Sequence, residues 1–375
     1  MRSKRSATLN AICPYFTMFP LDFPLSVLAR RISPSDWVLD PFSGRGTTNY
    51  AARLLGVRSI GIDSSPVAVA LTEAKLVNTT PTAIMACMVK ILKQSGPADV
   101  PQGEFWTRAF DSAVLQTICR IREALIEDCR SAARKALRAI VLGALHGPRT
   151  VSVPSYLSNQ CTRTYAPKPR YAVNFWRARK LAPPRVKVRE LIRLRAERYY
   201  GPQPSGEGIV LCGDSRDAST FRRLGGTRAR WVVTSPPYYG MRTYIPDQWL
   251  RNWFLGGSSD VEYSNELQLA HRSPASFAQQ LRSVWRNLAR VVTPDARLII
   301  RFGGITDRKA SPLQILKDSF DDSPWMLTTL RPAGSADLGK RQAIHFGTTQ
   351  NTPKTEYDAW ARLRHNRKDS GDELT

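Results

Sequence analysis

Short apolar runs that end in an acid alternate with stretches of helical spacing in the first part of this chain. The run over 37–39 ends at Asp40 and is followed by a glycine-containing turn and by helical spacing over 48–55. A second run over 59–62 ends at Asp63, and another helical stretch follows over 66–75. Strand, turn, helix and strand in this order predict a βαβ unit within a nucleotide-binding α/β sheet.

Apolar runs of strand length resume in the second half of the chain, together with an amphipathic helix predicted over 276–291. The last two runs are predicted to pair and to close the sheet. The predicted strands lie at 208–212, 230–234, 297–302, 325–330 and 342–346. Residues 351–375 are polar, and we expect a poorly ordered tail there because chain ends with little apolar surface seldom pack.

The middle of the chain has a different pattern. Residues 111–143 carry apolar side chains at helical spacing, which predicts a helical hairpin. Residues 147–188 are rich in proline, arginine and aromatics and are predicted to be surface loops, whereas 185–200 is typical of a basic helix. The predicted organisation is therefore one discontinuous α/β domain over 1–78 and 208–350. A largely helical basic insertion over 79–207 interrupts it, and a polar tail over 351–375 follows it.

Charge adds a candidate partner to this picture. The 375 residues carry a formal net charge of +24, and residues 130–198 contain 17 Lys and Arg against two acids. Such an excess favours a polyanionic partner, although a generically basic protein stays open on this ground alone.

The cysteines and the apolar runs exclude several classes of protein. None of the six cysteines forms a Cys-x-x-Cys pair, so neither a zinc site nor a redox motif is indicated, and a reducing cytoplasm is expected. Prolines interrupt any signal-peptide core near the N-terminus. No apolar run approaches the roughly 20 residues of a membrane helix, so no membrane partner is expected.

The first candidate motif is the glycine turn Asp40-Pro41-Phe42-Ser43-Gly44-Arg45-Gly46-Thr47-Thr48. Glycines at the end of a strand let the backbone approach a ligand in the crevice of an α/β sheet. Position 49 is Asn and no Gly-Lys-Ser/Thr follows, which weakens dinucleotide and nucleoside-triphosphate interpretations. A glycine pair alone is equally compatible with a plain tight turn.

Two acids at predicted strand ends are candidates for holding a nucleoside. Asp63 follows the glycine turn at about the distance where an acid commonly accepts from ribose hydroxyls. Asp214 follows the run over 208–212 and could accept from an adenine amino group. For each acid a solvated strand end or a simple turn is the alternative interpretation.

The second candidate motif is Thr234-Ser235-Pro236-Pro237-Tyr238-Tyr239. The lone pair of an exocyclic base amine is delocalised into the ring, and two hydrogen-bond acceptors can draw the amine toward a tetrahedral, nucleophilic form. The Ser235 side chain and the Pro236 carbonyl could be these acceptors, since consecutive prolines fix the backbone. The Tyr238 ring could stack on a flipped base. A proline-rich turn is the alternative if the string is taken alone.

Two other chemistries find little support in the sequence. Methylation of cytosine C5 needs a cysteine after a proline, and the chain contains no Pro-Cys pair. The Pro294-Asp295 and Asp307-Arg308-Lys309 strings superficially suit a metal nuclease, but the first is next to a predicted strand. The four histidines form no metal-binding cluster in the sequence.

With both strings in place, the chain resembles the S-adenosylmethionine-dependent amino-group DNA methyltransferases, which act on cytosine N4 or adenine N6. The resemblance covers about residues 12–75 and 208–305, and the segment 14–20 is similar to the family's upstream cofactor motif. It implies a Rossmann-like class I methyltransferase fold, which is an α/β fold with a seven-stranded, mostly parallel sheet that has one antiparallel strand. It also implies S-adenosylmethionine as the cofactor.

Carried over by position, the resemblance implies two sets of site residues. The cofactor set is Thr17, Phe19, Asp40, Phe42, Gly44, Gly46, Thr47, Asp63 and Asp214. The set that receives the target base and carries catalysis is Ser235, Pro236, Pro237 and Tyr238. Serine in the first position of the second motif favours cytosine N4, with adenine N6 as the alternative.

The order of the two motifs departs from many family members, in which the Ser-Pro-Pro-Tyr string comes first. Members with the present order place target recognition between the motifs, where this chain has its basic cluster. The predicted DNA-binding residues are Arg163, Lys168, Arg170, Arg177, Arg179 and Lys180, interleaved with the aromatics Tyr165, Tyr171, Phe175 and Trp176. A solvated basic loop is the alternative.

The resemblance implies double-stranded DNA as the partner, in the cytoplasm of a prokaryote or in a phage or mobile element. It leaves open a cognate restriction or defence nuclease and the oligomeric state. Two other functions stay open: an RNA base methyltransferase, and a non-catalytic DNA-binding protein with a methyltransferase-like fold.

Overall fold

The computed structural model describes residues 4–15, 19–147, 156–161, 166, 168–240, 245–261, 269, 272–304, 310–335 and 355–364. Its contacts divide the chain into two compact units. The first unit comprises Met1–Ser35, Ser43–Gly213 and Arg242–Gln268, and the second comprises Asp36–Phe42, Asp214–Met241 and Leu269–Thr375. These boundaries differ from the predicted domain limits, which stay a prediction.

Seven strands form one sheet in the order β3-β2-β1-β4-β5-β7-β6. The strands are β1 (Trp37–Asp40), β2 (Arg58–Asp63), β3 (Gly208–Cys212), β4 (Ala229–Thr234), β5 (Val292–Phe302), β6 (Trp325–Ser335) and β7 (Thr355–Leu363). Strand β7 is antiparallel to both of its neighbours, whereas the recorded β1–β4, β2–β3 and β4–β5 pairs are parallel. This arrangement confirms the predicted Rossmann-like class I methyltransferase fold.

Thirteen α-helices and two 3₁₀ helices accompany the sheet in the described residues. The α-helices are α1 (Asp22–Leu28), α2 (Thr47–Leu54), α3 (Pro66–Leu76), α4 (Pro81–Leu92), α5 (Glu104–Ala109), α6 (Ser112–Glu127), α7 (Ala132–Ala144), α8 (Pro169–Ala178), α9 (Val188–Tyr199), α10 (Ala218–Arg222), α11 (Trp249–Phe254), α12 (Pro274–Ala289) and α13 (Pro312–Asp318). The 3₁₀ helices are Lys4–Ala11 and Ile245–Gln248.

Several helix starts follow one local rule. A serine or threonine precedes a proline, and its side-chain oxygen accepts the backbone N–H three residues later, as Ser65 does at the start of α3 and Ser273 does at α12. The same arrangement begins α4 and α13. The hydroxyl satisfies an otherwise unpaired N–H, and proline has the backbone angle that the first helical residue needs.

The first unit combines the β2–β3 pair with helices α1–α9 and α11. The predicted helical hairpin over 111–143 is confirmed as α6 and α7, whose apolar faces are buried. The predicted basic helix is confirmed as α9. The prediction of loops over 147–188 is wrong for 169–178, which form α8 with Trp176 buried in the core of the unit.

The second unit contains β1, β4, β5, β7 and β6 with helices α10, α12 and α13. Because β7 runs antiparallel to β5, the first residues of β7 lie beside the last residues of β5, and Tyr357 is paired with Phe302. The beginning of β7 therefore lies at the edge of the sheet where β4 and β5 end.

Strand β7 corrects the prediction of a polar tail over 351–375. Thr355–Leu363 form a strand between β5 and β6, in which Ala359 and Ala361 are buried. The run over 342–346, predicted as half of the closing pair, lies outside the described residues. The prediction failed because the charged residues Glu356, Asp358 and Arg362 interrupt the apolar residues of β7, and its pairing comes from partners at least 20 residues away.

Within the described part of the chain, no helix is long and apolar enough to cross a membrane.

Candidate active site

Residues 43–46 of the glycine turn lie in the first unit, directly before α2. Gly44 and Gly46 both have left-handed backbone, with φ of 50° and 74°. A Cβ atom at Gly46 would lie 2.7 Å from Thr72 Oγ1 and 2.9 Å from Thr72 Cα, so the turn has no space for a side chain there. Helix α2 begins at Thr47, and its N-cap residue Gly46 makes no side-chain capping hydrogen bond.

Asp63 holds this turn at the end of β2. Its Oδ2 accepts the Gly44 N–H at 2.8 Å, and its Oδ1 accepts the Ser65 N–H at 2.9 Å. Burial raises the pKa of the Asp63 carboxyl, and these two backbone N–H groups oppose the rise. Each carboxylate oxygen keeps a second lone pair, so Asp63 can still accept from a ligand hydroxyl.

Tyr15 is a residue of this region that the sequence analysis did not single out. Burial, and next the negative charge of Asp63, raise the pKa of the Tyr15 phenol, and Ser65 opposes the rise. Its place in the segment 14–20 was the available signal. The predicted cofactor residue Thr17 lies outside the described residues, and Phe19 is buried with its ring edge-on to Phe23.

Two side chains of helix α3, three positions apart, donate hydrogen bonds to the backbone of the glycine turn. Thr72 Oγ1 donates to the Gly44 carbonyl at 3.4 Å, and Lys75 Nζ donates to the Arg45 carbonyl. Lys75 Nζ also donates to Asn10 Oδ1 at 2.8 Å, although the side chain is completely buried. Burial, and next the charge of Arg45, lower the pKa of Lys75 well below its ordinary value.

The beginning of the first motif lies in the second unit. Asp40 is 2% exposed, and its Oδ1 accepts the Phe42 N–H at 3.0 Å. The Phe42 ring is half-buried and edge-on to Trp285. Asp40 is therefore first a structural acid that shapes the chain as it leaves β1.

One hydrogen bond joins the two motifs within this unit. The Thr234 hydroxyl donates to Asp40 Oδ1 at 2.6 Å, although the two residues are 194 positions apart. Both side chains are buried, at the ends of the paired strands β1 and β4. The first acid of the glycine motif thus contacts the residue directly before the Ser-Pro-Pro-Tyr string.

The Ser-Pro-Pro-Tyr string forms a corner directly after β4. Ser235 and Pro237 are half-buried, whereas Pro236 and Tyr238 are buried. The Tyr238 ring packs edge-on against Phe302, and its hydroxyl donates to Glu356 Oε1 at 2.6 Å. Tyr238 is only 3% exposed, so its ring does not present the stacking face that the sequence predicts.

Asp214 lies after β3, where the sequence predicts an acid, and is half-buried. Its carboxylate is engaged by Arg216, whose Nη2 lies 2.6 Å from Asp214 Oδ2 and whose backbone N–H donates to Oδ1 at 2.8 Å. An arginine on both oxygens leaves less capacity for an adenine amino group. The assignment of Asp214 to the cofactor stays a prediction.

The predicted DNA-binding residues that are described cluster on and around α8. Lys168, Arg170, Arg177, Arg179 and Lys180 are all exposed, and Arg163 lies outside the described residues. Arg177 Nη2 contacts both oxygens of Glu104, and the Arg179 guanidinium lies 4.1 Å from the centre of the Phe175 ring. Of the aromatics, Tyr171 is 61% exposed, whereas Trp176 is buried and Tyr165 lies outside the described residues.

No group of His, Cys, Asp and Glu side chains within the described residues could hold a metal ion. Asp295, from the string that only superficially suits a metal nuclease, pairs with Arg230, whose Nε lies 2.7 Å from Asp295 Oδ2.

A family described as "DNA methylase" matches residues 2–74. The matched range contains the glycine turn and Asp63, and it ends before the Ser-Pro-Pro-Tyr corner. The match supports an amino-group DNA methyltransferase family for this part of the chain.

Two curated relatives share short regions with this chain. The Type II methyltransferase M.MjaII of Methanocaldococcus jannaschii is 36% identical over 73 residues, which are 20% of this chain and 14% of the relative. The Type II methyltransferase M.BsoBI of Geobacillus stearothermophilus is 48% identical over 44 residues, 12% of this chain and 9% of the relative. The matched regions thus span less than a sixth of either relative.

Among solved structures, the rRNA methyltransferase aviRa from Streptomyces viridochromogenes at 1.5 Å has a TM-score of 0.38 and 13% identity. The alignment covers 96% of this chain and 94% of aviRa. The order and direction of the strands, rather than this likeness, define the fold.

Glu356 is the second residue that the sequence analysis missed. It is 1% exposed at the start of β7, and it accepts the Tyr238 hydroxyl. No motif marks it, because it lies 118 positions after Tyr238 in a segment predicted to be a polar tail.

Proposed function

We propose that this chain is an S-adenosylmethionine-dependent DNA methyltransferase that moves a methyl group to an exocyclic base amine. The observation that carries the proposal is the 2.6 Å hydrogen bond from Thr234 to Asp40 within the second unit. This bond links the first residue of one motif, at the end of β1, to the first residue of the other, at the end of the neighbouring strand β4. Either motif alone is compatible with an ordinary turn. The DNA methylase match to residues 2–74 supports the same proposal independently.

The glycine turn and Asp63 fit a nucleoside cofactor. Gly44 and Gly46 leave backbone without side chains at the turn, and α2 starts without a side-chain cap. N–H groups at a helix start suit a negatively charged group, such as the carboxylate of the cofactor's methionine part. The spare lone pairs of Asp63 suit ribose hydroxyls. S-adenosylmethionine supplies an electrophilic methyl group on a sulfonium when it is bound.

At the corner, Ser235 and Pro236 act on the target amine. The Ser235 oxygen and the Pro236 carbonyl accept the two N–H bonds of the amine, which localises the nitrogen lone pair and aims it at the methyl group. With the cofactor bound, the nitrogen would bond to the methyl carbon as the carbon–sulfur bond breaks, S-adenosylhomocysteine would leave, and the methylated amine would release one proton to solvent. No covalent enzyme intermediate forms, so catalysis rests on orientation and on placed acceptors.

The target base leaves the duplex before the reaction, because its amine is inaccessible inside the stacked helix. We favour cytosine N4 over adenine N6, since Ser235 occupies the first position of the corner. The buried Tyr238 ring makes it a support of the corner, so another surface has to stack against the flipped base.

The exposed cations around α8 provide the affinity for DNA. Lys168, Arg170 and Lys180 present positive charge to solvent, as contacts to phosphate require. Tyr171 is the exposed aromatic among them and could contact a base or sugar. The Type II names of the two relatives suggest a restriction-modification setting, in which a cognate nuclease would read the same site.

A methyl-transfer assay tests the proposed function. The full chain is incubated with radiolabelled S-adenosylmethionine and either double-stranded DNA or tRNA, and the labelled nucleoside is then identified. We expect label in DNA only, as N4-methylcytosine. N6-methyladenine would correct the base but keep the class of reaction, label in tRNA alone would replace DNA with RNA, and no label with either substrate would overturn the proposal.

A further inference from the structure

Helix α8 has one anchored face and one open face. On the anchored face, the rings of Trp176 and Phe105 lie 5.6 Å apart, and Trp176 Nε1 donates to the Gln160 carbonyl at 2.7 Å. Ala172 and Val173 are buried on the same side. A helix that is fixed along one side holds the side chains of its other side in defined positions.

The open face of α8 is centred on a neutral amide. The residues exposed along the helix are Arg170, Tyr171, Asn174, Arg177 and Ala178. At 3.6 residues per turn these positions form one continuous arc, and Asn174 lies at the middle of it. The ring of Tyr171, which is 61% exposed, adds apolar surface beside the amide.

The polar groups of this face differ in what already binds them. Arg177 Nη2 contacts both oxygens of Glu104, at 2.7 and 2.8 Å, and so helps to anchor the helix. Among the described residues, neither Arg170 nor Asn174 has a hydrogen-bond or ion-pair partner. The guanidinium of Arg170 and the amide of Asn174 are therefore available to another molecule.

An amide placed among cations suits the edge of a base better than a phosphate. Lysine and arginine bind phosphate through their charge, whatever the sequence of the nucleic acid. The asparagine amide donates and accepts at once, which matches N7 and the N6 amine of adenine in the major groove. Asn174 therefore has the chemistry to select a base.

Helix α8 is followed by a second exposed cation in an unfavourable backbone conformation. Lys180 has left-handed backbone with φ of 51°, and the N–H of Leu181 after it donates to the Trp176 carbonyl at 2.9 Å. Glycine is preferred at such a helix end, because a side chain in this conformation has an energetic cost. An exposed lysine at this position points to a function for its charge.

The spacing of the two cations fits the groove of a DNA duplex. Arg170 and Lys180 are ten positions apart, which is about 15 Å along a helix. The major groove of B-DNA is about 12 Å wide and admits an α-helix, whereas the major groove of duplex RNA is too narrow for side chains to read. Cations at both ends of α8 can therefore reach phosphates on either side of the DNA groove.

We propose that α8 reads double-stranded DNA in the major groove, with Asn174 on the edge of an adenine and with Arg170 and Lys180 on phosphates. The inference rests on the proposed function, and it adds a residue that determines part of the recognition sequence. The positive charge of the open face is complementary to this partner.

Asn174→Ala tests the reading of the base. The full chain is incubated with S-adenosylmethionine and a DNA library of random sequence, and the methylated sites are found by modification-sensitive sequencing. We expect the wild-type site to contain an adenine that becomes variable in Asn174→Ala, with discrimination at that position falling by about 10- to 100-fold. The variant should fold normally, because alanine favours an exposed helix more than asparagine does.

The matched control is Gln116→Ala on α6. Gln116 is another exposed amide within a helix of the first unit. This variant should methylate the same sites as the wild type, with the same discrimination at every position.

Lys180→Gly tests the contact to phosphate. The change removes the unfavourable conformation of Lys180, so the midpoint of thermal unfolding should rise. Binding to every DNA sequence should nevertheless weaken, and the slope of log K against log salt should fall by about 0.9, without a change in the methylated site. Asp322→Gly is the control for the backbone, because Asp322 has a φ of 49°. It should gain stability without loss of DNA affinity.

A recognition site that is unchanged in Asn174→Ala, or that relaxes at a base other than adenine, would overturn the inference while leaving the proposed function intact. So would methylation of DNA by the wild type without any preferred sequence. Unchanged DNA affinity in Lys180→Gly would contradict the phosphate contact. A wild-type chain that methylates no DNA would instead overturn the proposed function and, with it, this inference.

Discussion

The glycine turn and the Ser-Pro-Pro-Tyr corner both follow strands, but different parts of the chain hold them in place. The turn is supported from nearby, since Asp63, Thr72 and Lys75 bind it from 19 to 30 positions away. The corner is supported from a distance, since the contact from Thr234 to Asp40 spans 194 positions and the contact from Tyr238 to Glu356 spans 118.

This difference separates what a motif can reveal from what it cannot. A turn with local supports carries them within one stretch of about 35 residues, and all of that stretch except Lys75 lies in the range 2–74 that the DNA methylase family matches. For a corner with distant supports, the motif in the sequence contains only the residues proposed to face the substrate. The polar groups that bind the residues of the corner, Asp40 and Glu356, come from strands elsewhere in the sequence.

The largest expected effect is on the glycine turn. Gly46→Ala should destabilise the protein by about 1–2 kcal/mol from its left-handed backbone and by about 1–3 kcal/mol more from the overlap with Thr72. Denaturant unfolding measures the loss, and calorimetry with S-adenosylmethionine should show that binding is lost.

Gly56→Ala is the control for this variant. Gly56 has the same φ of 74°, but no atom lies within 4 Å of a Cβ atom there. It should show the backbone cost alone and normal cofactor binding. Equal losses of stability in both variants would show that Thr72 does not support the turn.

A smaller effect is expected at the corner. Gly303→Ala places a methyl group 3.0 Å from Tyr238 Cε2, a contact that a shift of a few tenths of an ångström relieves. The variant should lose about 1 kcal/mol of stability. Because the shift moves Tyr238, the rate of methyl transfer should fall while cofactor binding stays normal. Lost cofactor binding would contradict the separate roles of turn and corner.

The smallest effect concerns affinity alone. Arg170→Gln on α8 should weaken DNA binding and reduce the slope of log K against log salt by about 0.9, the value for one lost phosphate contact. Arg193→Gln on α9 is the control, because Arg193 is already bound to Glu190 and Glu197 at 2.6 Å each. Both variants should keep normal cofactor binding. Equal salt slopes in both variants would remove α8 from the DNA-binding surface.

The sequence predicts those parts of the fold whose signals are local. Strands β1–β6 each lie on a compact apolar run from which the sequence predicts a strand, and α6 and α7 lie where the sequence shows helical spacing. Helix α8 was missed because prolines and charges surround it, and only packing reveals that Ala172, Val173 and Trp176 share a buried face. The buried ring of Tyr238 was missed for a similar reason, because Phe302 and Glu356 cover it from β5 and β7.

The most direct test of the account is the single-turnover rate of methyl transfer to DNA by Ser235→Ala, measured beside calorimetry with S-adenosylmethionine. Loss of a placed hydrogen-bonding group at a reacting centre typically costs about 10²- to 10³-fold in rate. We predict a loss of this size with an unchanged dissociation constant for the cofactor. A wild-type rate of transfer in Ser235→Ala would contradict the assignment of the corner as the site that receives the target amine.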